Sequence, residues 1–149
     1  MSFAIDFMQP RHGWLEVAVA FPTQRYTFAA SHVLNDPIRE LADLALLLAG
    51  GDHGKCIATF WLEPAGYELA AVLYDKPQLV WTHWTQTFPR TQQPTLLEEF
   101  AIDAPRAVAS ELLRALTDLR SLVPADGDPD MWKHPYPAEQ VDRLAALLV

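Results

Sequence analysis

Five histidines, one cysteine and nineteen acidic residues are the side chains with the most chemistry to offer in this chain of 149 residues. His12, His32, His53, His83 and His134 never stand four apart, and no H-E-x-x-H occurs, so their spacing gives no helical zinc site. Asp52, His53 and Cys56 spell D-H-x-x-C beside a turn and offer three metal ligands, but a structural zinc needs a fourth. A polar loop entering a strand is the simpler expectation, with Cys56 as a small buried hydrophobe. Residues 126–130, DGDPD, alternate acids as a calcium loop does. Met131 stands where that loop needs Gly, and Pro137 where it needs Glu, so these residues are expected to make turns. No G-x-S-x-G elbow, glycine-rich phosphate loop or dinucleotide fingerprint is present, and six glycines leave few to build one. Glu63-Pro64 has no second acid at a pairing distance and is expected to turn a hairpin. Neither catalytic nor cofactor-binding nor metal-ligating residues are expected.

Aromatic residues carry the remaining signal. In WTHWT, Trp81 and His83 share one face of a strand and Trp84 the other, so they form no single stacking platform. Basic neighbours that would accompany nucleic-acid stacking are scarce. Packing inside the core is one expectation for these residues. A partner-facing cluster of Trp61, Trp81, His83 and Trp84 is the other. Near the C-terminus, DPDMWKHPYPAEQVDRL places Trp132 and Tyr136 to anchor a loop, with Pro135 and Pro137 holding off helix until Ala138.

The elements that must position these side chains follow from periodicity. SFAIDF, WLEVAVAF and RYTFAAS alternate in the period of half-buried strands, and their short connections imply an antiparallel meander. NDPIRELADLALLLAGG reads as a helix, with Asp36 as cap, Pro37 in the first turn and Gly50-Gly51 as stop. Ile38, Leu41, Ala45 and Leu48 form its apolar stripe. KCIATFWLE, GYELAAVLYD and QLVWTHWTQ form a second meander with apolar groups on both faces, which calls for helices on both sides or for a partner on one. FPRTQQPTLLEEFAI is irregular and is expected to be loop followed by a short strand or turn. DAPRAVASELLRALTDLRSLV is a second helix, striped by Val108, Leu112, Leu116 and Leu119, with Glu111, Arg114 and Asp118 at supporting charge spacings. AEQVDRLAALLV closes the chain as a short helix.

Composition sets the outer bounds. Half the residues are hydrophobic and a fifth charged, as in a globular domain, and the length suits one domain over residues 1–149. A single cysteine allows no internal disulfide and fits a reducing compartment. The N-terminus lacks a basic region, an apolar run and a cleavage site, and LADLALLLAGG, with Asp43 in it, falls short of the about 20 residues of a membrane span. The expected location is cytoplasmic. A net charge of −8 repels phosphate backbones and anionic lipid, so neither nucleic acid nor membrane is an expected partner, and a basic protein is favoured.

Three pieces in order, ASHVLNDPIRELADLALLLAGG, LEPAGYEL and MWKHPYPAEQVDRLAALL, carry a resemblance. Across residues 29 to 148 the chain resembles a group of small bacterial proteins that includes immunity proteins of polymorphic toxin systems. That group shows a capped helix, an E-P-G-x-Y hairpin and a W-x-x-x-P-[FY]-P tail. The chain departs from it by an inserted Ala65 in the hairpin and by Leu69 where an aromatic is expected. The resemblance implies stoichiometric binding of a toxin and assigns no catalytic residue. The resulting expectation is an α+β domain in the order βββ-α-βββ-α-α, with a mainly antiparallel sheet of about six strands packed by helices. The expected role is that of a non-catalytic binding protein without cofactor, with a basic toxin domain as the expected partner. Two alternatives stand beside it. One is a small-molecule binder or small enzyme with a pocket between sheet and helix, around Trp61, Trp81 and His83. The other is a homo-oligomer that closes its own apolar sheet face.

Overall fold

A computed structural model describes residues 2–86 and 93–149. Strands β1 (Ala4–Phe7), β2 (Trp14–Ala20) and β3 (Arg25–Ser31) form one antiparallel sheet in that order. Helix α1 (Pro37–Gly50) follows, then β4 (Gly54–Trp61), β5 (Gly66–Leu73), β6 (Gln78–Trp84) and β7 (Thr95–Ala101) as a second antiparallel sheet, and then α2 (Pro105–Arg120) and α3 (Ala138–Leu147). The α+β class and the antiparallel pairing agree with the sequence, but seven strands in two sheets replace about six in one.

Two physical causes account for the difference. After β3 the chain leaves for α1, and β4 returns beside β3 without hydrogen bonding to it, so the two meanders stay separate. In TLLEEFA the register slips between Trp81 and Thr82, which oppose Glu98 and Leu96, leaving Leu97 as an extra residue. Such a bulge breaks the alternation by which a strand is recognised. The preceding residues 88–92 of the expected loop lie outside the described residues.

Alternation aims one face of each sheet at the other. Phe3, Phe21, Tyr26 and Phe28 meet Phe60, Tyr67, Trp81 and Phe100 in one aromatic layer. At its centre the Tyr67 and Trp81 rings stack at 4.9 Å with 4° between their planes. The Tyr26 hydroxyl donates to Glu98 across the sheets at 2.7 Å, and burial together with that carboxylate pushes the phenol up to about 12. Beside this layer α1 buries Ile38, Leu41, Leu44, Ala45 and Leu48, and α2 buries Val108, Leu112, Leu116 and Leu119. The helix ends follow the sequence. Asp36 Oδ1 accepts from Arg39 N–H at 3.2 Å, Pro37 occupies the first turn, and Gly51 ends α1 at φ 73°. In α2 the capping position falls to Ala104, which makes no side-chain cap bond. Among the described residues no helix is long and apolar enough to cross a membrane.

Two sheet edges are closed by side chains that imitate a neighbouring strand. On β1, Ile5 N–H donates to Glu111 at 3.0 Å, and Arg114 donates to the Ile5 carbonyl at 2.7 Å. On β4, Thr59 N–H donates to Glu40 at 2.9 Å, and Asn35 donates to the Thr59 carbonyl at 2.7 Å. In each case a carboxylate takes the backbone donor and a nitrogen serves the backbone acceptor, so the edge offers no template for another strand there. Arg114 also binds Asp6 at 3.0 Å and Asp118 at 2.8 Å. Burial alone would raise the Glu111 carboxyl, but hydrogen bonds from Arg114 and Ile5 outweigh it and hold the group below its usual range.

Candidate functional site

The aromatic residues singled out by the sequence divide between two surfaces of the four-stranded sheet. Trp81 is 0 % exposed, in the middle of the aromatic layer, and has no surface to give a partner. This corrects its placement in a partner-facing cluster: the first sheet docks on that face and covers the indole. His83 lies on the same inward face, with its ring 5.0 Å from Tyr67. Trp61 and Trp84 lie on the outward face, in one cross-strand row with Gly66 between them. The split between Trp81 with His83 and Trp84 is the one the strand period predicts.

Strand register builds the rest of the outward face. Thr59, Glu68 and Thr82 form the next row, followed by Ile57, Ala70 and Val80, and then by Lys55, Val72 and Gln78. A shallow depression of about 350 Å³ runs across these rows, walled by β4, β5, β6 and Pro94, with no helical residue in its lining. Ile57 is 37 % exposed, and Leu96, opposite Thr82, is 53 % exposed. The three-stranded sheet also turns one face away from the helices. A groove of about 430 Å³ there is lined by Ala18 and Ala29 together with Asp6, Glu16 and Arg25. Between sheet and helix, a depression of about 470 Å³ lies where Phe3, Phe100 and Val108 meet, and its walls do not include Trp61, Trp81 or His83.

A second cluster forms where the C-terminal loop crosses the start of the chain. Trp132 is 1 % exposed, and Tyr136, also buried, donates its hydroxyl to the Leu116 carbonyl. His12 N–H and Gly13 N–H donate to the carbonyls of Asp130 and Met131. Lys133 N–H donates to His32 Nδ1 at 2.9 Å, and Lys133 Nζ to the Val33 carbonyl at 3.0 Å. His134 Nε2 lies 2.9 Å from the His32 carbonyl and 2.8 Å from that of Asn35. The rings of His32, Trp132 and His134 make a triangle with centroids 5.4 to 6.2 Å apart. Two glycines make the crossing passable: a Cβ on Gly13 would lie 2.4 Å from the His32 ring, and one on Gly127 would lie 2.3 Å from the Lys133 carbonyl. His12 and Glu63 flank the cluster in left-handed conformations, at φ 52° and 60°, which cost of order 1–3 kcal/mol in residues with a Cβ. The anchoring role of Trp132 and Tyr136 follows from the sequence, but the part of His32 does not, because its partner is 101 residues away.

This clasp of the C-terminal loop favours the neutral imidazole of His32. Burial, then the Lys133 ammonium and His134, hold His32 below its usual value, against a smaller opposing pull from Glu63. Burial raises Asp36, which the Arg39 N–H and the nearby His134 only partly offset. Burial likewise pushes the Cys56 thiol up, away from the thiolate that nucleophilic chemistry requires. Among the described residues no group of three or more His, Cys, Asp or Glu is gathered to hold a metal ion. The acids of 126–130 act as turn residues, with Asp128 Oδ1 accepting from Asp130 N–H at 2.8 Å. Compared with family models, curated proteins and solved structures, the chain matches none.

Proposed function

We propose that this chain is a non-catalytic cytoplasmic binding protein of the immunity type its sequence resembles, holding a basic toxin domain against the outward face of its four-stranded sheet. The observation that supports this most is the apolar surface of Ile57, Val72, Val80 and Leu96 on the outward sheet face, whose depression is lined, among the described residues, by strand residues and Pro94 alone. Full burial of each such side chain contributes about 1.5–3 kcal/mol, so a few suffice to anchor a partner. Trp61 and Trp84 add the aromatic area that interface centres favour. The net charge of −8 would steer a basic partner and speed its association.

Co-expression with the product of a neighbouring gene, followed by purification of the complex, tests this reading. A stoichiometric complex that Ile57→Lys abolishes, with thermal stability unchanged, is expected. A complex indifferent to Ile57→Lys refutes the assignment of the face. No binding to any toxin-like neighbour, together with turnover of a substrate by the purified chain, refutes the function. The same apolar face favours a second reading, in which a second copy of the chain closes it. Light scattering that shows a monomer at high concentration rejects that one.

A further inference from the structure

The two histidines of the clasp are in opposite hydrogen-bonding states. His32 Nδ1 receives the Lys133 N–H at 2.9 Å, so this nitrogen carries no proton and the ring is held as the neutral Nε2–H form. His134 Nε2 faces two carbonyls, which only accept, so it must carry a hydrogen, and its Nδ1 can take another without losing either contact. A proton on His134 is therefore compatible with the closed clasp. A proton on His32 Nδ1 is not, because it sets one donor against another. Gly13 lies on the Nε2 side of the ring, where an added Cβ would come within 2.4 Å of that nitrogen.

We propose that the C-terminal loop is an acid-sensitive latch, in which protonation of His32 Nδ1 releases Lys133 and opens the 128–136 segment away from the β1–β2 turn and the β3–α1 connection. The groups around His32 set the direction. From the C-terminal loop, Lys133 and His134 oppose a second positive charge, and from the β4–β5 hairpin Glu63 favours one. At the head of α1, Asp36 acts on His134. The β1–β2 turn supplies Arg11 and His12, both exposed. Burial and the two basic neighbours outweigh Glu63, so the folded protein keeps His32 neutral at a pH where the unfolded chain takes up a proton. The latch contributes fully above the ordinary imidazole value of about 6.5 and is lost as pH falls from there towards the folded-state value. Opening uncovers Trp132, which the closed loop buries.

Hydrogen exchange followed residue by residue from pH 7.5 to 5.0, corrected for intrinsic chemistry, reads the latch locally. Protection of the Gly13 and Lys133 amides is expected to fall by about tenfold across this range, the scale of one lost hydrogen bond. His32→Asn places a carbonyl oxygen near Nδ1, accepts from Lys133 and does not titrate, so its profile is expected to be flat. His134→Gln keeps the donor and is expected to follow the wild type. Flat wild-type protection, or an equal loss in His32→Asn, overturns the proposal. So does a nuclear magnetic resonance titration of the wild-type His32 ring with its midpoint at or above 6.5. If His32→Asn does not fold, the wild-type exchange profile and that titration decide on their own.

Discussion

Replacing Trp132 by alanine separates an anchoring loop from a loop that merely lies on the surface. The indole is 1 % exposed and packs against His32 and His134. An aromatic side chain of this kind buries about 150–250 Å², worth about 4–6 kcal/mol at about 25 cal/mol per Å². The indole N–H offsets part of this, because it is buried with no acceptor among the described residues and desolvating such a donor costs about 1–3 kcal/mol. A net loss of about 3–4 kcal/mol is expected for Trp132→Ala, in line with large-to-small core changes. For a chain of this length that corresponds to a fall in Tm of about 6–16 °C. Trp132→Phe keeps much of the ring and removes the orphan donor, so its cost is expected to stay below about 1.5 kcal/mol. Urea unfolding followed by circular dichroism measures both variants on one scale. A Trp132→Ala protein within about 1 kcal/mol of the wild type would show that the loop anchors nothing. Equal losses in the two variants would show that the ring fills no space.

Gly13→Ala is expected to cost about 1–3 kcal/mol, because its Cβ meets the His32 ring and its φ of 80° disfavours a side chain, and the same urea titration checks it. Glu111→Ala leaves Ile5 N–H without its acceptor and should cost about 1–3 kcal/mol, with greater loss to aggregation on heating as the second sign. Glu111 titrates below its usual range in the fold, so its contribution is present above the ordinary glutamate value of about 4.5 and is lost as pH falls towards the folded-state value; stability curves from pH 6 to 3, wild type against Glu111→Ala, should converge in acid. Val80→Lys on the outward sheet face should change stability by less than about 1 kcal/mol in thermal melts while weakening capture of the partner at least tenfold.

What the sequence makes legible is what neighbouring residues decide. Asp36, Pro37 and Gly51 mark α1 within a single stretch of chain, and the alternation of Leu15, Val17 and Val19 fixes their shared face. Trp132 and Tyr136 read as anchors because Pro135 and Pro137 keep their loop out of helix and leave two aromatics to be covered. The opposite faces of Trp81 and Trp84 are equally plain, but which of them is buried is not. Both faces of β6 carry tryptophan, and the choice is made by the aromatic side of a sheet some 55 residues earlier in the chain, as the Tyr26–Trp81 contact shows. Arg114 shows the same limit. Its spacing to Glu111 and Asp118 is visible on the helix, while its bond to the Ile5 carbonyl spans 109 residues. β7 is legible only as a short strand or turn, for a local reason, since the bulge at Leu97 interrupts the period that would mark its full length.

The guard on β1 also has a timetable. Ile5 emerges early in synthesis and Arg114 comes 109 residues later, so at about 5–20 residues per second the edge waits roughly 5–20 s for its cover. The Thr59 edge waits for nothing, because Asn35 and Glu40 precede it in the chain. The first sheet is therefore the vulnerable part of a nascent or truncated chain. A fragment ending before Pro105 would carry an unprotected β1 into solution.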